Sequence, residues 1–239
     1  MSLRPDQLHS HLQKGIAPLY VLHGNEPLLV LEAADAIRAA ARAQGFTERE
    51  TFVVGQGFRW NELSAAAGNL SLFGDRKLID LRIPTGKPGR DGGEALQRYV
   101  ATLDSATVTL ITLPEIDWAT RKTAWFKALI EAGVTLELNA PEREQLPQWI
   151  AQRLSRQNQR APEEALRFIA EHVEGNLLAA HQEILKLGLL HPEGELTLAD
   201  VEQAVLNVAR YDIDKLRQAI LEGDPARCIR LLEGLEGEG

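Results

Sequence analysis

The sequence is short of several residue types and patterns that particular functions require. Its single cysteine, Cys228, excludes a disulfide within the chain and argues against a cysteine-based zinc site. Thirty-four acidic residues against 26 basic ones give a net charge of −8, which disfavours a dedicated DNA-binding protein. The histidines show no metal-ligand spacing along one helix; they are His9, His11, His23, His172, His181 and His191.

Long apolar runs are also missing. No run approaches the roughly 18 residues that a membrane-spanning helix needs. The N-terminus lacks the charged-then-apolar pattern of a secretion signal. We therefore expect a cytoplasmic protein without a membrane partner, and its 239 residues favour more than one domain.

Residues 1–140 are predicted to form an α/β domain around a parallel five-stranded sheet. Short β-branched or leucine-rich runs alternate there with helical patterns, as is typical of a sheet covered by helices on both faces. The glycine-rich stretch 84–93 is predicted to be a loop. Strands are predicted at 18–23, 50–54, 77–82, 107–113 and 134–138, and helices at 27–44, 60–72, 93–103 and 120–132.

Only helical patterns follow Pro141. A small helical domain is predicted over 141–210, with helices at 143–158, 162–173, 176–190 and 198–209. Two further helices, at 212–222 and 225–236, are too short to bury a core of their own. They are expected either to begin a truncated third domain over 211–239 or to dock on the rest.

The first predicted strand runs through His23-Gly24-Asn25-Glu26-Pro27 into a long amphipathic helix, where a nucleotide-binding α/β domain keeps its phosphate loop. A working loop reads G-x-x-x-x-G-K-[ST], because backbone N–H groups wrap the phosphates and a lysine reaches the terminal ones. Here no second glycine, lysine or Ser/Thr follows, and Pro27 removes one N–H donor. Asn25 or Glu26 is predicted to cap the helix instead. Its core-facing residues are predicted to be Leu28, Leu31, Ala34, Ile37 and Ala41.

Carboxylates that could hold magnesium are poorly placed. Asp80 lies within a predicted strand, and a structural role is predicted for it. Glu115 and Asp117 follow a strand end, where α/β sites form, but without a phosphate loop they are interpreted as loop or helix-capping residues. G-x-S-x-G and H-E-x-x-H motifs are absent.

Leu72 and Phe73 do not fit the core-facing side of the helix predicted over 60–72. At about 100° per residue, Leu72 lies about 200° from Leu70, which belongs to that side. An adjacent pair of large apolar residues before Gly74 resembles an interface anchor. The alternative is that Phe73 folds back and seals the edge of the sheet.

An ordered series of segments resembles the delta subunit of bacterial DNA polymerase III. The resemblance implies an AAA+-type clamp-loader subunit: a RecA-like α/β domain, a small helical lid domain and a helical collar that assembles the ring of subunits. The segments are LHGNEPLL (22–29), LSLFGDRK (70–77), AWFKAL (124–129), LPQWI (146–150), EGNLLA (174–179) and LTLADVEQAV (196–205).

The resemblance also implies a subunit that binds neither ATP nor another cofactor and is not itself an enzyme, although it belongs to a DNA-directed DNA polymerase holoenzyme. Leu178 agrees, because an ATP-binding relative would carry a sensor arginine in that stretch. Leu72 and Phe73, flanked by Leu70 and Ser71, are assigned to a hydrophobic plug that enters a pocket on the sliding clamp (beta subunit) and holds the ring open. Other implied partners are the remaining loader subunits, through the collar, and primed DNA in the assembled loader.

Two alternatives from other functional classes remain open. One is a divergent P-loop-like ATPase. The other is a nucleic-acid-binding module, whose contacts would come from Lys87, Arg90, Arg121, Lys122 and Lys127.

Overall fold

The computed structural model describes residues 1–68, 76–173, 176–206, 219–225 and 228–229. The chain divides into two compact units, Met1–Ala140 and Pro141–Gly239. The first is an α/β unit, and the described part of the second is mainly helical.

The first unit contains a parallel sheet, which confirms the predicted α/β fold class. Its strands are β1 (Ser2–Leu3), β2 (Leu19–His23), β3 (Phe46–Val53), β4 (Arg76–Arg82), β5 (Thr107–Thr112) and β6 (Val134–Glu137). Neighbouring strands are parallel in the order β1-β6-β2-β5-β4-β3. The described sheet has six strands rather than five, because the two-residue β1 pairs with β6 at one edge and is too short to show an alternating pattern.

Helices cover both faces of this sheet. They are α1 (Leu8–Lys14), α2 (Pro27–Ala43), α3 (Trp60–Gly68), α4 (Gly89–Val100), α5 (Trp118–Arg121) and α6 (Ala124–Ala132). Successive residues of β5 pack in different apolar clusters: Leu110 packs with α1 and α2, and Ile111 packs with α3, α4 and α6. This alternation is the period of two that a strand imposes on its side chains.

Several of the predicted boundaries in this unit are wrong, including those of the helix predicted at 93–103, which spans Gly89–Val100. β3 begins at Phe46, four residues before the predicted strand at 50–54. The single helix predicted over 120–132 is two helices, because Thr123 leaves the helical conformation (φ −66°, ψ 149°) and becomes the N-cap of α6.

The prediction of a loop over 84–93 is wrong from Gly89 onward, because α4 begins there. Gly92 and Gly93 are buried, and each faces a tryptophan. A Cβ on Gly92 would lie 2.4 Å from the ring of Trp60, and one on Gly93 would lie 3.1 Å from the ring of Trp125. These glycines therefore permit close packing of α4 rather than chain flexibility.

In the described part of the second unit, four helices pack against one another and bury apolar side chains between them. They are α7 (Leu146–Arg156), α8 (Glu163–Val173), α9 (Leu177–Leu190) and α10 (Leu198–Leu206). The prediction of helices alone missed a short parallel pair, β7 (Gln159–Arg160) and β8 (Gly194–Glu195). Gln159 anchors this pair, because its buried amide nitrogen donates to the carbonyl oxygens of Leu187, His191 and Pro192.

The division into three domains with boundaries at 140 and 210 stays a prediction. Residues 207–218, which include the second boundary, lie outside the described residues. Farther along, residues 219–222 are helical and Gly223 takes a φ of +68°, which suits the helix end predicted there. None of the described helices combines the length and the apolar character that crossing a membrane requires.

Candidate functional site at the carboxyl edge of the sheet

The turn after β2 is filled by the chain that follows β6. Gly24 has a φ of +153°, and a Cβ on it would lie 2.0 Å from the carbonyl oxygen of Leu138. The parallel pairing of β2 with β6 carries Leu138 to this position, since His23 lies opposite Glu137. Only glycine allows the backbone of residue 138 to approach this closely.

The backbone amides that would surround a phosphate in a working phosphate loop donate hydrogen bonds within the protein. The Glu26 amide donates to the carbonyl oxygen of Leu138 at 3.2 Å, and the Asn25 amide donates to Oδ1 of Asn139 at 3.2 Å. The Leu28 amide donates to the carboxylate of Glu26 at 3.0 Å. This contact confirms Glu26 as the cap of α2, with Pro27 in its first turn. A negative charge therefore already occupies the positive end of the α2 dipole.

Asn25, the other predicted cap of α2, contacts the chain that follows β6 instead. Its side-chain oxygen accepts from the Ala140 amide at 3.0 Å. Together with the bond between the Asn25 amide and Asn139, this contact ties the turn to the chain after β6.

A groove of about 690 Å³ lies beside this turn, between α2 and the ends of β4 and β5. Its walls are mainly apolar and include Val30, Leu31, Ala34, Ile83, Leu113 and Pro114. The prediction that Leu31 faces the core is wrong, because 56 % of this residue is exposed and it lines the groove. The other four predicted core residues of α2 are buried.

Asp80 is fully buried at the centre of an arginine cluster. Its Oδ2 accepts from Arg38 of α2 at 3.0 Å and from Arg49 of β3 at 2.5 Å, and Arg82 lies 3.6 Å from its Oδ1. This arrangement confirms the structural role predicted for Asp80. Within the described ranges, no group of three His, Cys, Asp or Glu side chains could hold a metal ion.

The two acidic residues after β5 lie in different surroundings. Asp117 caps α5, because its Oδ1 accepts from the Thr120 amide at 2.6 Å, and this hydrogen bond lowers the pKa of the Asp117 carboxyl. Glu115 is exposed and lines the groove. The interpretation of Asp117 as a helix cap is thus confirmed.

Sequence reasoning missed the environment of His23 at the end of β2. Its ring is buried, and it packs edge-on against Phe126 with the ring centroids 5.6 Å apart. Burial lowers the pKa of His23, while the nearby Glu137 opposes the shift. The sequence signal that could have identified it is its place directly after the continuous apolar run 19–22, which is typical of a strand buried on both faces.

Four of the five basic residues considered for nucleic-acid contact lie beside acidic or aromatic side chains in the described structure. Arg121 forms an ion pair with Glu137 at 2.5 Å, and Arg90 lies 3.4 Å from Glu94. The ammonium of Lys122 lies 3.1 Å from the ring centroid of Trp118. Lys87 lies 4.0 Å from Asp117, and Lys127 is exposed on α6.

The predicted clamp-binding residues Leu70, Ser71, Leu72 and Phe73 lie outside the described residues. The structure describes what flanks them, namely α3 up to Gly68 and β4 from Arg76. The helix-phase prediction therefore stays a prediction.

The stretch around Leu178 lies at the start of α9. Asn176 caps this helix by accepting from the Ala179 amide at 2.9 Å, and 51 % of Leu178 is exposed. Gly175 lies outside the described residues.

Comparisons with known proteins agree on one family. The family model for DNA polymerase III, delta subunit, matches residues 20–139. DNA polymerase III subunit delta of Escherichia coli (strain K12) is 35 % identical over 237 residues, covering 99 % of this chain and 69 % of the relative. That of Haemophilus influenzae is 28 % identical, covering 98 % of this chain and 69 % of the relative.

Solved structures confirm the fold. A Bacillus subtilis protein titled DNA clamp loader delta protein (YqeN) superposes with a TM-score of 0.71 at 20 % identity, covering 98 % of this chain and 72 % of that one. A mutant of Thermotoga maritima RuvB gives 0.51 at 15 % identity, with 91 % and 75 % covered. These likenesses establish the RecA-like α/β fold, and the family match together with the identity to the Escherichia coli relative shows that the chain belongs to the DNA polymerase III delta subunit family.

Proposed function

We propose that this protein is a clamp-loader subunit that binds and opens a ring-shaped sliding clamp without binding ATP. Membership in the delta subunit family carries the proposal, since the relative of 35 % identity is named as a subunit of DNA polymerase III. The Bacillus subtilis protein of the same fold is titled as a clamp-loader delta protein. The partners are then the clamp, the other loader subunits and, in the assembled loader, primed DNA.

The absence of ATP binding is supported by the turn at Gly24–Pro27. Its amides at Asn25 and Glu26 are bonded to residues 138 and 139, and the Glu26 carboxylate caps α2. A triphosphate at this place would have to displace these bonds and would meet a carboxylate. In this proposal the subunit catalyses no reaction itself and acts as a component of a DNA-directed DNA polymerase.

The work of the subunit is mechanical. Burying Leu72 and Phe73 in a pocket of the clamp would yield roughly 3–6 kcal/mol. This corresponds to about a hundredfold to ten-thousandfold in affinity, and it offsets strain at the opened interface of the ring. Leu70 and Ser71 flank the two anchor residues.

Clamp binding is tested with the double change Leu72→Ala and Phe73→Ala. We expect the affinity for purified clamp in surface plasmon resonance to fall by about a hundredfold or more, while circular dichroism stays unchanged. The matched control is Leu189→Ala with Leu190→Ala, another adjacent apolar pair that is exposed at the end of α9. Equal affinity of the plug variant and the wild type would rule out the plug assignment.

The ATPase alternative is tested by titrating the protein with a fluorescent ATP analogue. We expect no saturable binding up to about 1 mM nucleotide, which corresponds to a binding free energy weaker than about −4 kcal/mol. Binding at micromolar concentration would favour the divergent ATPase.

A further inference from the structure

The groove beside the turn at 24–27 has the size and the walls of a small-molecule site. Its volume is about 690 Å³. Ligand pockets typically measure about 300–1,000 Å³ and are mostly apolar with a few polar groups. The groove lies outside the carboxyl ends of β4 and β5, which is where parallel α/β sheets bind their ligands. Its place in the fold and its dimensions therefore suit a bound molecule.

The apolar surface of the groove is accessible from solvent. Leu31 shows this most clearly, since 56 % of it is exposed although the helical period places it on the apolar side of α2. Exposed apolar surface gains free energy when an apolar molecule covers it. The walls therefore favour a ligand with an apolar body.

Two arginines also line the groove, namely Arg38 of α2 and Arg82, the last residue of β4. Leu78 of β4 packs in the apolar cluster that contains residues of α2. Because alternate residues of a strand face the same side, Asp80 and Arg82 lie on that side too. The hydrogen bond from Arg38 to Asp80 agrees with this arrangement. Arg82 is thus on the face of the sheet to which α2 and the groove belong.

Asp80 engages Arg82 less closely than it engages the other two arginines. Arg38 and Arg49 donate to its Oδ2 at 3.0 Å and 2.5 Å. Nε of Arg82 lies 3.6 Å from Oδ1, beyond hydrogen-bond distance, and 46 % of the Arg82 side chain is exposed. Oδ1 has no hydrogen-bond partner in the part of the chain that the structure describes. The guanidinium group of Arg82 can therefore donate to an anion in the groove.

The arginine cluster carries more positive than negative charge. Three guanidinium groups, those of Arg38, Arg49 and Arg82, surround the buried carboxylate of Asp80. Asp35 adds one exposed carboxylate, 2.7 Å from Arg38. Three positive and two negative side chains leave a net charge of +1, which an anionic ligand would balance.

Glu115 is the acidic residue of the groove wall. It lies three residues beyond Thr112, and Thr112 is the residue opposite Arg82 in the pairing of β4 with β5. Glu115 also acts on Arg121, whose pKa is raised first by its hydrogen bond with Glu137 and further by the charge of Glu115. An anionic group is therefore favoured beside Arg82, at the level of the strand ends, rather than beside Glu115.

We propose that the groove binds a small molecule with an apolar body and one anionic group, such as an aromatic or acyl carboxylate. The body packs against Leu31 and the other apolar walls, and the anionic group accepts hydrogen bonds from Arg82. A nucleoside triphosphate does not fit, because it carries several charges and the walls are mainly apolar. This site is independent of the proposed clamp binding.

Two dyes with the same rings test the two parts of the proposal. 8-Anilinonaphthalene-1-sulfonate, the sulfonate dye, has an apolar body and one anionic group. N-phenyl-1-naphthylamine, the neutral dye, lacks the sulfonate. Fluorescence titration of the wild-type protein should show saturable binding of the sulfonate dye with a Kd of roughly 10–100 μM. ATP at about 1 mM should not displace it.

Variants at Leu31 and Arg82 locate the dye and test its charge. Leu31→Gln should weaken binding of both dyes about threefold to tenfold, because it removes apolar contact. Leu31→Glu has the same shape but adds a negative charge, so it should weaken the sulfonate dye about tenfold further and leave the neutral dye as in Leu31→Gln. Arg82→Gln should weaken the sulfonate dye alone, by about tenfold.

The matched controls change the same residue types away from the groove. Leu189→Gln alters an exposed leucine of α9, and Arg98→Gln alters an exposed arginine of α4. Both controls should bind the two dyes as the wild type does. Circular dichroism of every variant verifies that the fold is retained.

Each part of the proposal has an outcome that overturns it. Binding of the sulfonate dye that Leu31→Gln leaves unchanged, or that Leu189→Gln weakens equally, would exclude the groove as the site. Equal losses for both dyes in Arg82→Gln would exclude recognition of the anionic group, and displacement by ATP would exclude an apolar ligand class. Should Arg82→Gln not fold, the comparison of Leu31→Glu with Leu31→Gln decides the charge preference without a change in the arginine cluster.

Discussion

Gly24 and Leu138 are packed so closely that a Cβ on Gly24 would lie 2.0 Å from the carbonyl oxygen of Leu138. The chain after β6 thus crosses the turn where a nucleotide-binding relative of this fold holds phosphate. The Glu26 amide completes the contact by donating to the same carbonyl oxygen. The turn is therefore a packed part of the sheet edge. We expect substitutions in this turn to lower the stability of the first unit.

Gly24→Ala should destabilise the protein by about 2–5 kcal/mol, because it adds a backbone clash to an unfavourable φ. Urea denaturation followed by circular dichroism measures the change. The matched control is Gly55→Ala, since a Cβ there would meet nothing within 4 Å. The control should change the stability by less than about 0.5 kcal/mol. Similar stabilities for the two variants would contradict the packing of Gly24 against Leu138.

Asp80→Asn should cost about 3 kcal/mol of stability, because it leaves the guanidinium groups of Arg38 and Arg49 without their buried counter-charge. The control is Asp35→Asn, which removes the charge of another partner of Arg38; the side chain of Asp35 is 64 % exposed. That control should cost less than about 1 kcal/mol. Thermal and urea unfolding of both variants give the comparison. A cost for Asp80→Asn no greater than for Asp35→Asn would show that the cluster does not depend on its buried carboxylate.

Gly92→Ala should destabilise the protein by about 1–3 kcal/mol, although alanine is the better helix former. The reasons are the ring of Trp60, which lies 2.4 Å from the Cβ position of residue 92, and the Cβ of Pro88, which lies 2.8 Å from it. Urea denaturation of Gly92→Ala in the wild-type and Trp60→Leu backgrounds tests this. In the second background the cost of Gly92→Ala should be smaller by about 0.5–3 kcal/mol, the range of coupling between residues in contact, and the contact with Pro88 should keep it above zero. Additive effects of the two changes would exclude this clash.

Local sequence patterns predicted the elements around β2 and α2 well. The apolar run of β2 and the helical period of α2 are strong signals, and Glu26 and Pro27 mark the start of that helix. The start of α4 was not predictable in this way. Gly92 and Gly93 are typical of a loop by composition, and only the approach of Trp60 and Trp125, which is set by tertiary packing, explains them as helical residues.

The candidate site, too, could be predicted from the sequence only in part. The missing lysine and second glycine after Gly24 are visible in the sequence and already predict the loss of a working phosphate loop. The filling of the turn by Leu138 and Asn139 depends on the pairing of β2 with β6, strands that lie far apart in sequence. Leu31 fits the apolar face of α2 by periodicity, but the groove beside the strand ends leaves it exposed, and no local pattern encodes a groove.

His23 should make the stability depend on pH just below neutrality. Burial lowers the pKa of His23 below its ordinary value of 6.5. Between the lowered folded pKa and the unfolded pKa, the unfolded chain binds more protons than the folded one. Stability should therefore fall as the pH drops below about 6.5 and be regained above it. The sign is the same as that for any histidine that is buried in its neutral form.

The measurement is urea unfolding at pH 7.5 and pH 5.5 for the wild type and for His23→Phe, which keeps an aromatic ring beside Phe126. The neighbouring Glu137 has a lowered pKa because of its hydrogen bond with Arg121, so it stays ionised over this range and does not mask the histidine. The wild type should lose more stability between the two pH values than His23→Phe does. An equal loss in both proteins would mean that protonation of His23 does not oppose folding, and the burial of its ring at the end of β2 would then need another explanation.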